Sequence, residues 1–230
     1  MDVLFRILLV LHVACGCTGL LSGTISAIAA KGGKLHKGSG KVFFYSMVAT
    51  GITAIMISFL PGHQSLFLFA VGGFTLYMVL SGYRIVWLNR HRGALKRPAL
   101  PLDWALAAFG LLFSLFLIAM AATRAAETRQ MFALVPAVFG LICLMFSRAD
   151  WRVLNGNVAL QSIWLKHHLG RMIGALVASY TAFLVVNVHI EQSWILWLLP
   201  TAVGGLCIAR FRRQRLLIPT NLTVQMDHLP

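Results

Sequence analysis

Eight histidines carry most of the chemistry this chain could perform. A neutral imidazole offers a nitrogen lone pair to a metal or a proton, and it is the commonest protein ligand to transition metals. Seven of the eight fall at two levels of an otherwise apolar chain. His12, His63 and His189 stand at one level, His36, His91, His167 and His168 at the other, and His228 lies in the tail. His12 is the most deeply placed, about 13 Å along its apolar run at 1.5 Å per residue. An ionisable side chain that far inside a membrane helix is costly and marks a functional position. The competing reading is a neutral ring hydrogen-bonded to a neighbouring hydroxyl or carbonyl.

His36 and the adjacent pair His167 and His168 sit where two apolar spans end on the same side. Helices that brought those ends together would set two imidazoles face to face, which is the axial ligand set of a b-type haem in an apolar slot. His36 with His168 would then form the inner ligand pair, with His167 as a substitute for His168, and His12 with His63 would form an outer pair. Lys34, Lys37 and Arg171 are the cations available to haem propionates. The alternative is that these histidines simply join a basic interfacial collar.

Other chemistries find less support. The carboxylates Asp2, Asp103, Glu127, Asp150, Glu191 and Asp227 all lie at span ends or in loops, so paired acid–base hydrolysis is not expected. No GxSxG, phosphate-binding Gly-rich loop, HExxH or CxxC motif occurs. A zinc site from His36, His167 and His168 suffers because adjacent helical residues point about 100° apart. Cys15, Cys17, Cys143 and Cys207 all fall in apolar spans and read as packing residues; only His12 and Cys15, three apart, share a helical face where a soft metal could bind.

The elements that must position these residues are membrane helices. The chain is 59% hydrophobic and 11% charged with a mean hydropathy of +0.80, a composition that cannot clothe a soluble globule. The expected fold is all-α, a polytopic bundle of seven transmembrane helices over about 3–29, 41–60, 65–89, 102–123, 130–147, 168–189 and 194–210, each near the length that crosses a hydrocarbon core. Residues 1–215 form a single membrane domain and 216–230 a short tail. Ala27-Ile28-Ala29 resembles a signal-peptidase site, but Asp2 offsets Arg6 and lysines follow at once, so the first span reads as retained.

Basic residues fix the expected orientation. Lys31, Lys34, Lys37 and Lys41 follow the first span, Arg90, Arg92, Lys96 and Arg97 the third, Arg148, Arg152, Lys166 and Arg171 surround the connection after the fifth, and Arg210, Arg212, Arg213 and Arg215 follow the seventh. Alternate connections rich in Lys and Arg are cytoplasmic, which places the N-terminus outside and the C-terminus inside. The net charge of +14 is therefore juxtamembrane and suited to anionic headgroups, not to nucleic acid. Gly16, Gly19 and Gly23 in the first span and Gly170, Gly174 and Ala178 in the sixth have small-xxx-small spacing, so these two helices are expected in the bundle interior. Trp104, Trp194 and Trp197 fit interfacial belts, and Pro136 and Pro200 mark bends or first turns.

Several stretches together resemble an uncharacterised bacterial membrane family, a domain of unknown function. They are Leu11-His12, Gly19 to Gly23, Lys31 through His36 to Lys41, Ser46-Met47, Gly62-His63-Gln64-Ser65, Gly82-Tyr83-Arg84, Asp103-Trp104, and His168 through Met172 to Thr181 and on to Asn187. The resemblance runs from the first span to the sixth. Histidines at two membrane levels are also similar to cytochrome b561-type proteins, although no single span here carries two ligand histidines about four turns apart. His168 and His189 bracket one span at about 31 Å by helical rise.

The resemblance implies a bacterial inner-membrane protein that binds haem b through His36 and His168, and through His12 and His63, and that moves electrons to or from a quinone. Its expected partners are the lipid bilayer, a quinone or other redox partner, and further copies of the chain. Two further classes stay open: a transporter with Ser46, Thr50, Thr53, Tyr77, Tyr83 and Ser179 along a path, and an accessory subunit of a respiratory complex. A retinal receptor is excluded because the seventh span holds no lysine for a Schiff base.

Overall fold

The computed structural model describes residues 2–92, 99–128, 134–189 and 194–216, and every described element is an α-helix. In chain order they are α1 (Asp2–Ile28), α2 (Lys34–Ser58), α3 (Leu66–Arg92), α4 (Pro101–Thr128), α5 (Leu134–Leu154), α6 (Leu160–Asn187) and α7 (Trp194–Leu216). Long apolar runs adopt helices in lipid because a helix satisfies its own backbone polar groups. Six of the seven are long and apolar enough to cross a membrane; among the α7 residues whose side chains are described, the apolar stretch is Ile195–Leu206. The chain is thus a multi-pass helical membrane protein.

The helices extend beyond the spans expected from hydropathy. α2 starts at Lys34 and α6 at Leu160, and α5 continues to Leu154, so Lys34, His36, Arg152, Lys166 and His167 stand on helical turns. A basic residue ends an apolar run but not a helix, since its long stem can lie along apolar surface while the charge reaches water. Lys96, Arg97, Arg129, Glu191, the tail beyond Leu216 with Asp227 and His228, and the side chains of Glu127, Trp194, Cys207, Arg210, Arg212, Arg213 and Arg215 lie outside what the structure describes.

Sequential helices pack as neighbours in α1–α2, α2–α3, α4–α5 and α6–α7, and α6 returns across the bundle to lie against α3 and α1. α3 is the central helix, with half of its most apolar stretch buried, against 11% for α1. The expectation that α1 lies in the interior is therefore corrected. Gly19 and Gly23 make its close contacts, and the other faces are left to lipid. Gly23 shows the contact: a Cβ there would come within 2.7 Å of Phe43 and 2.8 Å of Leu176, on α2 and α6. The opposite face presents Val10 and Leu21, exposed as a lipid-facing side requires.

The core gathers Phe43 and Met47 of α2, Phe74, Tyr77 and Met78 of α3, Phe113 and Leu117 of α4, Phe139, Cys143 and Phe146 of α5, and Ala175 and Ala178 of α6. Trp197, expected in an interfacial belt, is buried and meets Phe67 edge-on at 4.7 Å between centroids. Trp104 does stand near the start of α4, edge-on to the half-exposed Trp151. The α1–α2 and α5–α6 turns share one end of the bundle with Lys31, Lys34 and Arg152; this is its basic end.

Candidate functional site

Three membrane histidines are oriented in the same way. His36 Nδ1 lies 2.9 Å from the Ser26 carbonyl at the end of α1, and 3.1 Å from the Ser26 hydroxyl. His168 Nδ1 lies 2.9 Å from the Gly82 carbonyl of α3. His12 Nδ1 lies 3.1 Å from the Thr50 carbonyl of α2 and 3.2 Å from Thr53 Oγ1. A carbonyl oxygen can only accept, so each Nδ1 must donate its N–H. In the neutral ring the lone pair is then left on Nε2. That is how ligand histidines are held in metalloproteins, with the second nitrogen donating to a backbone carbonyl.

The backbone of α3 makes the His168 contact possible. A Cβ on Gly82 would lie 3.0 Å from Arg171 Cβ and 3.2 Å from Met172 Cε, so any larger residue would crowd α6 by a few tenths of an ångström. His36 thus ties α2 to the end of α1, and His168 ties α6 to α3, in a group of helices where α1 and α3 both pack against α6. Partial burial holds the Lys31 ammonium below its usual value. Lys31 Nζ donates to the Ser26 carbonyl at 3.2 Å and also to that of Ala27, closing the last turn of α1.

Other expected site residues lie elsewhere. His63 follows Gly62, whose φ of +81° makes the tight turn after α2, and its ring stacks on Phe5 with centroids 3.6 Å apart. Phe5 precedes His12 by about 10 Å of helical rise, so the contacts of His63 and His12 are at different depths. His167 turns its ring to Phe146, edge-on at 5.7 Å, and its Nδ1 is buried without a hydrogen-bond partner. Lys34 is exposed in the first turn of α2. Among the described residues no three His, Cys, Asp or Glu side chains gather as a metal site. Cys15, Cys17 and Cys143 are free thiols.

The hydroxyls considered for a transport path mostly turn back on their own helices. Thr50 donates to the Ser46 carbonyl, Thr53 to Ala49 and Ser179 to Ala175. Tyr83 stacks on Phe44.

What the sequence reading missed is a pair of ionic contacts inside the bundle. Arg171, only 1% exposed, binds Asp150 through Nη2 and also donates to the carbonyls of Ser81 and Phe146. Tyr77, wholly buried, donates its hydroxyl to the other Asp150 oxygen at 3.1 Å. Arg84 Nε donates to Asp103 Oδ1 at 2.6 Å, with the guanidinium 4.0 Å from the centre of the Trp87 ring. Asp103 Oδ2 accepts the backbone N–H of Leu100. Both carboxylates do lie near helix ends, as the sequence suggests, but their side chains turn inward. A signal was present: an arginine three residues into an apolar span needs a counter-ion, and Asp150 was within reach. Arg171, expected to serve a propionate, instead commits its guanidinium to Asp150.

Comparison with known proteins adds no relative: no family model, no curated protein and no solved structure matches the chain. Fold and interior together define its class as a multi-pass α-helical membrane protein with a histidine-bearing, ion-paired core.

Proposed function

We propose that this protein is a redox protein of the bacterial inner membrane that binds one b-type haem between His36 and His168 and passes electrons through it, with a quinone as donor or acceptor. In this reading all seven helices cross the bilayer, the N-terminus lies outside and the basic end faces the cytoplasm. The observation that carries the proposal is the shared orientation of His36 and His168. Each donates Nδ1–H to a main-chain carbonyl and keeps Nε2 as a lone-pair donor.

The donor set fits the group: two neutral imidazoles from different helices are the strong-field pair that low-spin haem iron takes. Bound haem would supply the one-electron chemistry. The chain's own part is to fix the rings, to exclude water with the apolar faces of α1, α2, α3 and α6, and to set the local charge. Ser26 and Gly82 hold the tautomers. Lys34 and Lys37, exposed in the first turn of α2, are the cations available to a propionate.

Absorption spectra of the detergent-purified protein, oxidised and dithionite-reduced, test this directly. A Soret band that sharpens and shifts on reduction is expected. His36→Ala and His168→Ala should each remove it, whereas His63→Ala and His167→Ala should leave it. Protein that shows no Soret band after expression with haem supplied sinks the proposal.

A further inference from the structure

The two ion pairs border one small cavity. Arg84 and Asp103 line one part of it, Arg171 and Asp150 another, and Ser81 lies between them on α3. Its volume of about 30 Å³ decides what can enter. A buried water needs about 10–15 Å³ of such space, so there is room for about two. Two donors on its lining arginines, Arg84 Nη2 and Arg171 Nε, are buried without a hydrogen-bond partner. Unpaired buried donors are rare in folded proteins and commonly mark a site for water or an ion.

Charge chooses between those occupants. The lining holds two guanidinium groups and two carboxylates and is neutral overall, so an anion would gain from the arginines what it loses to the aspartates. Water can accept from the first and donate to the second. We propose that this cavity holds ordered water that accepts from Arg84 and Arg171 and donates to Asp103 and Asp150. The two ion pairs thereby become one hydrated network, reaching from the start of α4 to the Tyr77 hydroxyl in the core. Such a network gives protons at the basic end a hydrogen-bonded route to Asp150 and Tyr77. It stands whether or not the histidines carry a cofactor.

X-ray radiolysis of the full chain in micelles tests for the water, because radicals made from bound water oxidise the side chains beside it. Mass spectrometry should find oxidation at Ile85, Leu88 and Leu160, which are buried around the cavity, and none at Leu117, which is buried in the dry core. Labelling of the three at the Leu117 level would overturn the proposal. Asp103→Asn and Asp150→Asn should together lower the melting temperature by less than the sum of their separate shifts; strict additivity would equally overturn the joined network. Should the Asp150 variant fail to fold, labelling of the wild-type chain alone decides the matter.

Discussion

Arg171 illustrates how much depends on one buried side chain. With its guanidinium bound to Asp150 and two carbonyls, removal leaves a carboxylate uncompensated inside the bundle. Breaking such a pair from one side typically costs about 3–5 kcal/mol, and replacing both partners by apolar residues of similar volume costs far less. Arg171→Met should therefore lower the unfolding midpoint sharply, and Arg171→Met combined with Asp150→Leu should recover most of the loss in a thermal melt. A double variant no more stable than Arg171→Met would show that the pair is not a closed unit. The histidines differ in the same concrete way. His168 has a carbonyl to fix its tautomer, and its neighbour His167 has only an aromatic edge. The sequence puts His168 first with His167 as its substitute; the 100° between successive helical positions decides which one faces α3.

At the level of elements, glycine sets how closely helices meet. Gly82→Ala would press on Arg171 Cβ at 3.0 Å, and overpacking of this kind costs about 1–3 kcal/mol. It should also move α6 away from α3 and weaken the His168 to Gly82 bond, so loss of the haem signal is expected alongside the drop in melting temperature. Gly16→Ala is the control. Its Cβ would meet only Thr50 Cγ2 at 3.9 Å, an ordinary contact, so the change should be neutral or stabilise by about 0.5–1 kcal/mol through helix entropy. If Gly16→Ala proved as costly as Gly82→Ala, close approach would not be the reason for either glycine. Small-residue spacing marked close contacts at Gly19, Gly23, Gly170 and Gly174, although it wrongly placed α1 in the interior. It did not say that α3, whose glycines at 72, 73 and 82 lack that spacing, is the central helix.

For the whole molecule, the placement of basic residues predicts the topology. Reporter fusions at residue 216 should be active only in the cytoplasm, and fusions in the α2–α3 connection only outside, given the charge rule. A chain in which α7 lies along the surface would instead leave residue 216 on the outer side, where α6 ends. Such a result would leave the grouping of His36, His168 and Ser26 intact, since α7 contributes none of these residues. Helix packing therefore separates the histidine site from the question of the seventh span.

The sequence by itself determined the class of protein. Hydropathy and length depend on composition within one continuous segment, and six membrane-length helices follow from that alone. It also marked His36 and His168 as residues to watch, because an imidazole at the end of an apolar run is visible locally. Only the tertiary structure decided which polar groups meet. Asp103 lies at one helix start and Asp150 near another helix end, and nothing in the order of residues says that both turn inward toward Arg84 and Arg171. Pairing across 19 and 21 positions depends on which faces α3, α4, α5 and α6 present to one another. Those faces are fixed by the close packing of many side chains at once, in a medium where every unpaired charge is costly.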